Sequence, residues 1–253
     1  MFYVDEFVYA NKLRYDHPLE KTIFAIATMF LGLLSNKPFV NLSIIMIMVA
    51  LLYLKAAIPG FVLRKLMLIP VSFLFLGVIP ILLTFSLNQT EMIMYLKIGS
   101  YYLGFTQNGI LVAVNTVLRA AGSIACLYFL ALTTPMIELI YVLNLFRMPG
   151  LIIELMILIY RFIFVFIETA FNIYTAQSSR WGYHNFKQSI NSLGILFANL
   201  WRKTYLKSQT LFISLISRGY EDEIRVLNPA YTFTKNIYLY LIVDVVLIFL
   251  AFI

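Results

Sequence analysis

The sequence predicts an all-α integral membrane protein, and three observations lead to this class. Of the 253 residues, 62% are hydrophobic and only 12% are charged, whereas soluble domains average about 45–50% apolar and about 25% charged residues. The apolar residues form long runs separated by short polar connections, which is typical of membrane-spanning helices. The 17 Tyr, 22 Phe and 2 Trp residues suit several spans with aromatic anchors at the membrane interface.

The charge balance and the single cysteine exclude other classes. A net charge of +7 is expected when lysines and arginines flank membrane spans and meet anionic lipid headgroups, so it does not indicate nucleic-acid binding. Cys126 is the one cysteine in the sequence, which excludes an internal disulfide and a thiolate metal cluster. Because residues 1–22 are polar and charged, we expect no cleavable signal peptide.

Four apolar stretches in the first half are predicted to cross the membrane, and with the amino-terminal segment they form a membrane domain over residues 1–132. The first stretch is short for a hydrocarbon core of about 30 Å, which needs roughly 20 residues, so part of it should lie at the interface. The third contains Pro70 and Pro80, which predict kinks because each proline removes a backbone donor. The polar residues 88–108 are predicted to be a connection. The four stretches are residues 22–34, 39–54, 66–87 and 109–132.

The second half is predicted to hold a long helical region and one more span. Thr133-Thr134-Pro135 is typical of a helix start, since Thr can cap a helix and Pro fits its first turn. The short helix that follows should end at Met148-Pro149-Gly150. Residues 133–234 then form one region, and residues 235–253 contain the last apolar stretch.

The distribution of basic residues decides how many stretches cross. Residues 151–171 are long enough to span the membrane, but lysine and arginine are concentrated both in residues 55–65 and in residues 187–225. Basic loops remain on the cytoplasmic side, and both regions lie there only if residues 151–171 do not cross. We therefore predict five spans, with the amino terminus and residues 133–234 in the cytoplasm.

Charged residues inside apolar segments are candidates for pairing. Glu154, Arg161 and Glu168 are seven residues apart, so they share one helix face. A charge ladder that holds helices together is favoured over an ion path for these three. Arg119 and Asp244 lie within spans, where an unpaired charge costs at least about 2.5–3.5 kcal/mol. Each of these two should therefore face the bundle or a partner subunit.

Two arginine signatures stand 38 residues apart, each near the end of a predicted amphipathic helix. They are Ala176-Gln177-Ser178-Ser179-Arg180-Trp181-Gly182-Tyr183 and Ser214-Leu215-Ile216-Ser217-Arg218-Gly219-Tyr220. Two explanations without a partner stay open. The helices could lie on the membrane surface with basic edges, and an arginine near a helix carboxyl terminus favours the helix dipole by about 0.3–1 kcal/mol.

The paired signatures resemble those of the transmembrane T component of energy-coupling factor (ECF) transporters. The opening segment, with Tyr9-Ala10-Asn11-Lys12-Leu13-Arg14, His17-Pro18 and Glu20-Lys21, is similar to that of the CbiQ subgroup of cobalt importers. Thr133-Thr134-Pro135 and Ser192-Leu193-Gly194 extend the resemblance over almost the whole chain.

The resemblance implies a docking role for the arginine signatures. In that family two coupling helices cross like an X, and each ends in a three-residue motif that docks on one of two ATP-binding-cassette subunits. The family pattern at both motifs is Ala-Arg-Gly, whereas the first motif here has Trp, with its glycine one place later. The docking residues implied are Ser179, Arg180, Trp181, Ser217, Arg218 and Gly219.

The resemblance also implies the partners. The substrate would be bound by a separate membrane S component, CbiM-like and with or without a small CbiN-like subunit. ATP would be bound by the two ATPases, since no Walker-type GxxxxGK[ST] sequence occurs here. We expect no catalytic residue, cofactor or metal site in this chain, which would lie in a prokaryotic cell membrane. The function expected is energy coupling for cobalt uptake.

Alternative functions stay open. A T component for nickel or a vitamin would share the arginine pair. A stand-alone membrane enzyme should show clustered His, Asp or Ser near an interface, and a stand-alone carrier should show inverted repeats. The sequence offers neither, and its histidines, His17 and His184, lie outside the spans.

Overall fold

The computed structural model describes residues 7–82, 84–86, 92–98, 101–220 and 236–252. It confirms the predicted class of a helical integral membrane protein and adds a small sheet. Short 3₁₀ and π-helical turns lie at Lys12–Tyr15 and Leu51–Lys55. In chain order the main elements are α1 (Pro18–Leu34), α2 (Pro38–Ala50), α3 (Gly60–Leu82), β1 (Thr84–Ser86), β2 (Met92–Ile98), β3 (Tyr101–Thr106), α4 (Gln107–Thr133), α5 (Met136–Leu145), α6 (Gly150–Ser178), α7 (Phe186–Ile216) and α8 (Asn236–Phe252).

Proline and capping residues set the helix starts. Helices α1 and α2 both begin on a proline, whose fixed φ suits the first helical position and whose missing N–H loses nothing there. His17 caps α1, because its Nδ1 accepts a hydrogen bond from the backbone N–H of Leu19 at 3.2 Å. Thr106 caps α4 in the same way, through Gly109 N–H at 3.1 Å.

The chain divides into two compact units, Met1–Leu139 with Ala230–Ile253, and Ile140–Pro229. The core of the first unit includes residues of α1, α2, α4 and α8. At its centre the ring of Phe24 stacks on Tyr240 at 4.7 Å and meets the ring of Phe129 edge-on at 5.6 Å. Such aromatic pairs contribute about 0.5–1.5 kcal/mol beyond their buried area.

Glycines let α1, α2 and α4 approach one another. A β-carbon on Gly32 of α1 would lie 3.1 Å from Asn41 Oδ1 and from Ile44 Cδ1 of α2. A β-carbon on Gly122 of α4 would lie 3.7 Å from the Asn41 carbonyl oxygen. Because lipid supplies no hydrophobic force between helices, this close packing is a main source of association within a membrane.

The region predicted as a polar connection, residues 88–108, instead contains two strands and the start of α4. These two strands, β2 and β3, form an antiparallel sheet with β1 in the order β1-β3-β2. Thr84 pairs with Gly104, and Lys97 pairs with Tyr102. The prediction counted charges and missed the β-branched and aromatic residues, which favour a pleated surface. The third predicted span, residues 66–87, corresponds to α3, which begins earlier, at Gly60, and ends at Leu82.

Four of the described helices are long and apolar enough to cross a membrane: Pro38–Lys55, Gly60–Leu82, Gln107–Thr133 and Gly150–Ser178. Helix α1 has 17 residues, and apolar stretches of α5 and α8 are also shorter than a full span. The protein is thus a multi-pass membrane protein. Length and composition allow α6 to cross, so its predicted course along the cytoplasmic half stays a prediction.

Candidate functional site

Helices α6 and α7 form an antiparallel hairpin in the second unit. Residues 179–185 reverse the chain, and near this reversal the amide of Gln177 donates to the carbonyl of Ser192 at 2.9 Å. At the opposite end the Tyr220 hydroxyl donates to Glu154 Oε2 at 2.9 Å. The two arginine signatures therefore lie at opposite ends of the hairpin. The X-shaped crossing stays a prediction.

Helix α6 ends in a Schellman motif centred on Arg180. The N–H of Gly182 bonds the carbonyl of Gln177 at 2.9 Å, and the N–H of Trp181 bonds that of Ser178 at 3.0 Å. Trp181 has a φ of +60°, the left-handed conformation that follows a helix end in this motif. Arg180 therefore lies in the capping turn that ends α6, where the N–H groups of Trp181 and Gly182 satisfy two terminal carbonyls.

Helix α7 ends in the same motif, centred on Arg218. The N–H of Tyr220 bonds the carbonyl of Leu215 at 3.1 Å, and the N–H of Gly219 bonds that of Ile216 at 3.0 Å. Here the left-handed residue is Gly219, with a φ of +75°. The two signatures thus have one backbone geometry, although their sequences place glycine differently.

Close packing explains why the first glycine is displaced. A β-carbon on Gly182 would lie 2.8 Å from the Gln177 carbonyl oxygen and 2.9 Å from Ser192 Oγ. Ser192 Oγ also donates to the Gly182 carbonyl at 2.7 Å. Glycine is thus required at 182, and Trp181 takes the left-handed position that glycine fills in the second signature.

Both arginine side chains are exposed, and neither forms a hydrogen bond or ion pair within the part of the chain that the structure describes. The serines before them bond their own helices: Ser179 Oγ donates to Thr175 O, and Ser217 Oγ to Ile213 O, both at 2.9 Å. Trp181 is 73% exposed and lies edge-on to His184. Each signature therefore presents an unpaired guanidinium next to a small residue.

A second cluster is buried in the first unit around Lys21, which is fully buried. Its ammonium donates to the carbonyl of Leu13 at 3.2 Å and to that of Thr133 at 3.0 Å. It also forms an ion pair with Glu138 Oε2 at 3.3 Å. All three ammonium donors are thus satisfied, which is the condition for a buried charge to be tolerated.

The neighbours of Lys21 join the amino-terminal segment to the end of α4. The amide of Asn11 donates to the carbonyl of Leu132 at 2.8 Å, and the Tyr240 hydroxyl lies 3.5 Å from Asp16 Oδ2. Burial, reinforced by the positive charge of Lys21, lowers the pKa of His17, so this residue is favoured as the neutral imidazole that its capping bond requires. The amino-terminal segment therefore caps the carboxyl-terminal end of α4, because it supplies hydrogen-bond donors and a positive charge to the terminal carbonyl groups.

In the described ranges Arg161 makes no ion pair with Glu154 or Glu168, and the charge ladder that would hold helices together stays a prediction. Arg119 bonds the α1–α2 connection: its Nη2 donates to Ser35 O at 3.2 Å and to Asn36 Oδ1 at 2.6 Å.

Asp244 of α8 is the other charged residue that the sequence places within a span. Asp244 Oδ1 is buried with no hydrogen-bond partner in the described part of the chain. That Asp244 faces the bundle or a partner subunit stays a prediction.

Sequence reasoning missed Glu138 and gave Lys21 no structural role. The two are 117 residues apart, and no local pattern reports such a contact. The sequence does contain two hints of this ion pair. Lys21 lies beside a predicted span, and Glu138 lies in the first turn of the helix that begins after Thr133-Thr134-Pro135. Over the described ranges, no group of three or more His, Cys, Asp or Glu side chains is arranged to hold a metal ion.

Comparison with known proteins gives consistent matches. Residues 10–227 match the cobalt transport protein family CbiQ. An uncharacterized protein of Methanocaldococcus jannaschii is 33% identical over 98% of this chain and 92% of its own length. A putative fused cobalt transport protein CbiMQ of Methanocorpusculum labreanum is 33% identical over 86% of this chain and 36% of its own length. The cobalt transport protein CbiQ of Salmonella typhimurium is 28% identical over 63% of this chain and 71% of its own length.

Proposed function

The chain belongs to the CbiQ family of cobalt transport proteins, and from this premise we propose that it is the energy-coupling subunit of an ECF-type importer. The family makes it a membrane component of cobalt transport. The finer role is to pass the motion of two cytoplasmic ATPases to a substrate-binding membrane subunit. ATP is bound by those ATPases, and the chain itself needs no cofactor.

The paired arginine ends carry this proposal. Two helices end in the same motif, and each presents a guanidinium that has no partner among the described residues. A guanidinium stays charged at every relevant pH and can bind a carboxylate at two points. Helix α7 has 31 residues, so at 1.5 Å per residue the two ends are roughly 45 Å apart. Two equal contacts at that distance suit two copies of one kind of ATPase.

The residues that dock are the six in the two signatures. Arg180 and Arg218 enter grooves on the ATPases, and their small neighbours allow close approach. These neighbours are Ser179, Ser217 and Gly219, with Trp181 at the edge of the first contact. The signatures and the amino terminus lie on the cytoplasmic side, because the ATPases are there.

The substrate-binding partner is a CbiM-like membrane subunit. The fused relative from Methanocorpusculum labreanum, whose name joins CbiM to CbiQ, supports this pairing. Exposed apolar side chains along α3 provide a surface for lipid or such a subunit, since only Leu63 and Val78 of this helix are buried. A CbiN-like subunit can accompany it.

Co-purification of the assembled transporter tests the coupling role. We expect Arg180→Ala and Arg218→Ala each to reduce recovery of the ATPases, because removing one partner of a buried ion pair costs about 3–5 kcal/mol. Arg202→Ala is the matched control, since Arg202 is an exposed arginine of α7 away from the signatures. Normal ATPase recovery and cobalt uptake in the double arginine variant would contradict the proposal.

The same preparation separates the alternatives. A nickel- or vitamin-binding membrane subunit in the purified complex would mean that the substrate is not cobalt, while the proposed coupling role would stand. A lone chain that transports or catalyses in proteoliposomes would remove the coupling role. Two ATPases with a CbiM-like subunit would support it in full.

A further inference from the structure

The α6–α7 hairpin contains a cationic groove that lies between the two arginine signatures. Residues lining one cavity of about 300 Å³ include Lys203 and Lys207. Residues lining a second cavity of about 220 Å³ include Arg161 and Lys207. Because Val165 and Lys207 line both cavities, the two are adjacent, and together they form a groove lined by three positive charges.

These charges are not compensated within the described part of the chain. Arg161, Lys203 and Lys207 form no hydrogen bond or ion pair there, and no carboxylate lines either cavity. Three like charges around one groove repel one another, so the binding of an anion is favoured. An arginine with two lysines is a typical set of phosphate ligands, since arginine binds phosphate at two points and lysine acts as a point charge.

The walls of the groove are polar in one part and apolar in another. Asn172 and Thr204 add side-chain donors beside Lys203. Phe162, Phe166 and Leu211 supply aromatic and aliphatic surface next to the cations. An inorganic anion would use the donors alone, whereas a ligand that joins a phosphate to a hydrocarbon chain would use both.

We propose that this groove binds an anionic phospholipid, with its phosphate on Arg161, Lys203 and Lys207. Its acyl chain lies along the phenylalanines of α6. This helix is long and apolar, and none of its residues is buried, so within a membrane protein its side chains are available to lipid. A lipid phosphate would also compensate Arg161, which forms no ion pair within the described part of the chain.

Native mass spectrometry of the purified full-length chain in detergent tests the site, with phosphatidylglycerol and phosphatidylcholine as probes. We expect phosphatidylglycerol to be retained preferentially. Lys203→Gln and Lys207→Gln should each weaken its binding about fivefold and the double variant about 25-fold, since a lysine near an anionic lipid contributes about a factor of five. Arg202→Gln is the matched control, because Arg202 is the exposed neighbour of Lys203 but lines neither cavity.

Three results would overturn the assignment. Equal retention of the two lipids would show that the groove does not select a charged headgroup. An equal loss in the Arg202 and Lys203 variants would show only general surface attraction. Binding of glycerol phosphate or inorganic phosphate as tight as that of the lipid would show that the apolar wall contributes nothing. Thermal unfolding of each variant checks that these exposed substitutions leave the fold intact.

Discussion

At the residue scale, Gly182 fixes the geometry of the first arginine signature. A methyl group there would approach a backbone carbonyl to 2.8 Å, and a carbonyl within a helix end cannot move aside easily. We expect Gly182→Ala to destabilise the chain by about 1–3 kcal/mol, the usual cost of overpacking. Thermal unfolding of the purified protein in detergent measures the change.

Gly194 offers a matched control for this substitution. It lies inside α7, and a β-carbon on it would meet nothing within 4 Å. Gly194→Ala should therefore stabilise the chain by about 0.5–1 kcal/mol, because glycine in a helix interior is less favourable than alanine. A Gly182 variant that unfolds at or above the wild-type temperature would refute the packing argument.

At the scale of elements, the buried lysine ties the amino-terminal segment to the end of α4 and the start of α5. Lys21→Met would leave Glu138 as a buried charge without its partner. Removing one side of such a pair costs about 3–5 kcal/mol, so we expect a loss of that order in the free energy of unfolding. Chemical denaturation in mixed micelles provides the measurement.

The double variant Lys21→Met/Glu138→Leu separates the ion pair from simple packing. If the pair is coupled, the double substitution should recover part of the loss caused by Lys21→Met alone, because no unpaired charge is then buried. Strictly additive losses would instead show that each side chain acts independently. In that case the carbonyl bonds of Lys21 to Leu13 and Thr133 would be its main contribution.

At the scale of the whole molecule, the features that depend on residues close together in the chain could be predicted from the sequence. Long apolar runs predicted α2, α3, α4 and α8, and the paired signatures predicted where α6 and α7 end. The ion pair of Lys21 with Glu138 could not be predicted, since its partners are brought together only by folding. The strands were missed for a different reason, because Met92–Ile98 has β-forming side chains within a stretch interpreted only by its low charge.

The membrane topology is the largest prediction that still depends on charge alone. If α6 does not cross, its two ends lie on the same side, so Arg147→Cys and Trp181→Cys should both react with an impermeant maleimide only in inside-out vesicles. Lys97→Cys, in the predicted outer connection, should react only in right-side-out vesicles. The native Cys126 is buried and provides the background. Labelling of the Trp181 variant from outside would mean that α6 crosses, and the ATPases could then not reach the first arginine signature.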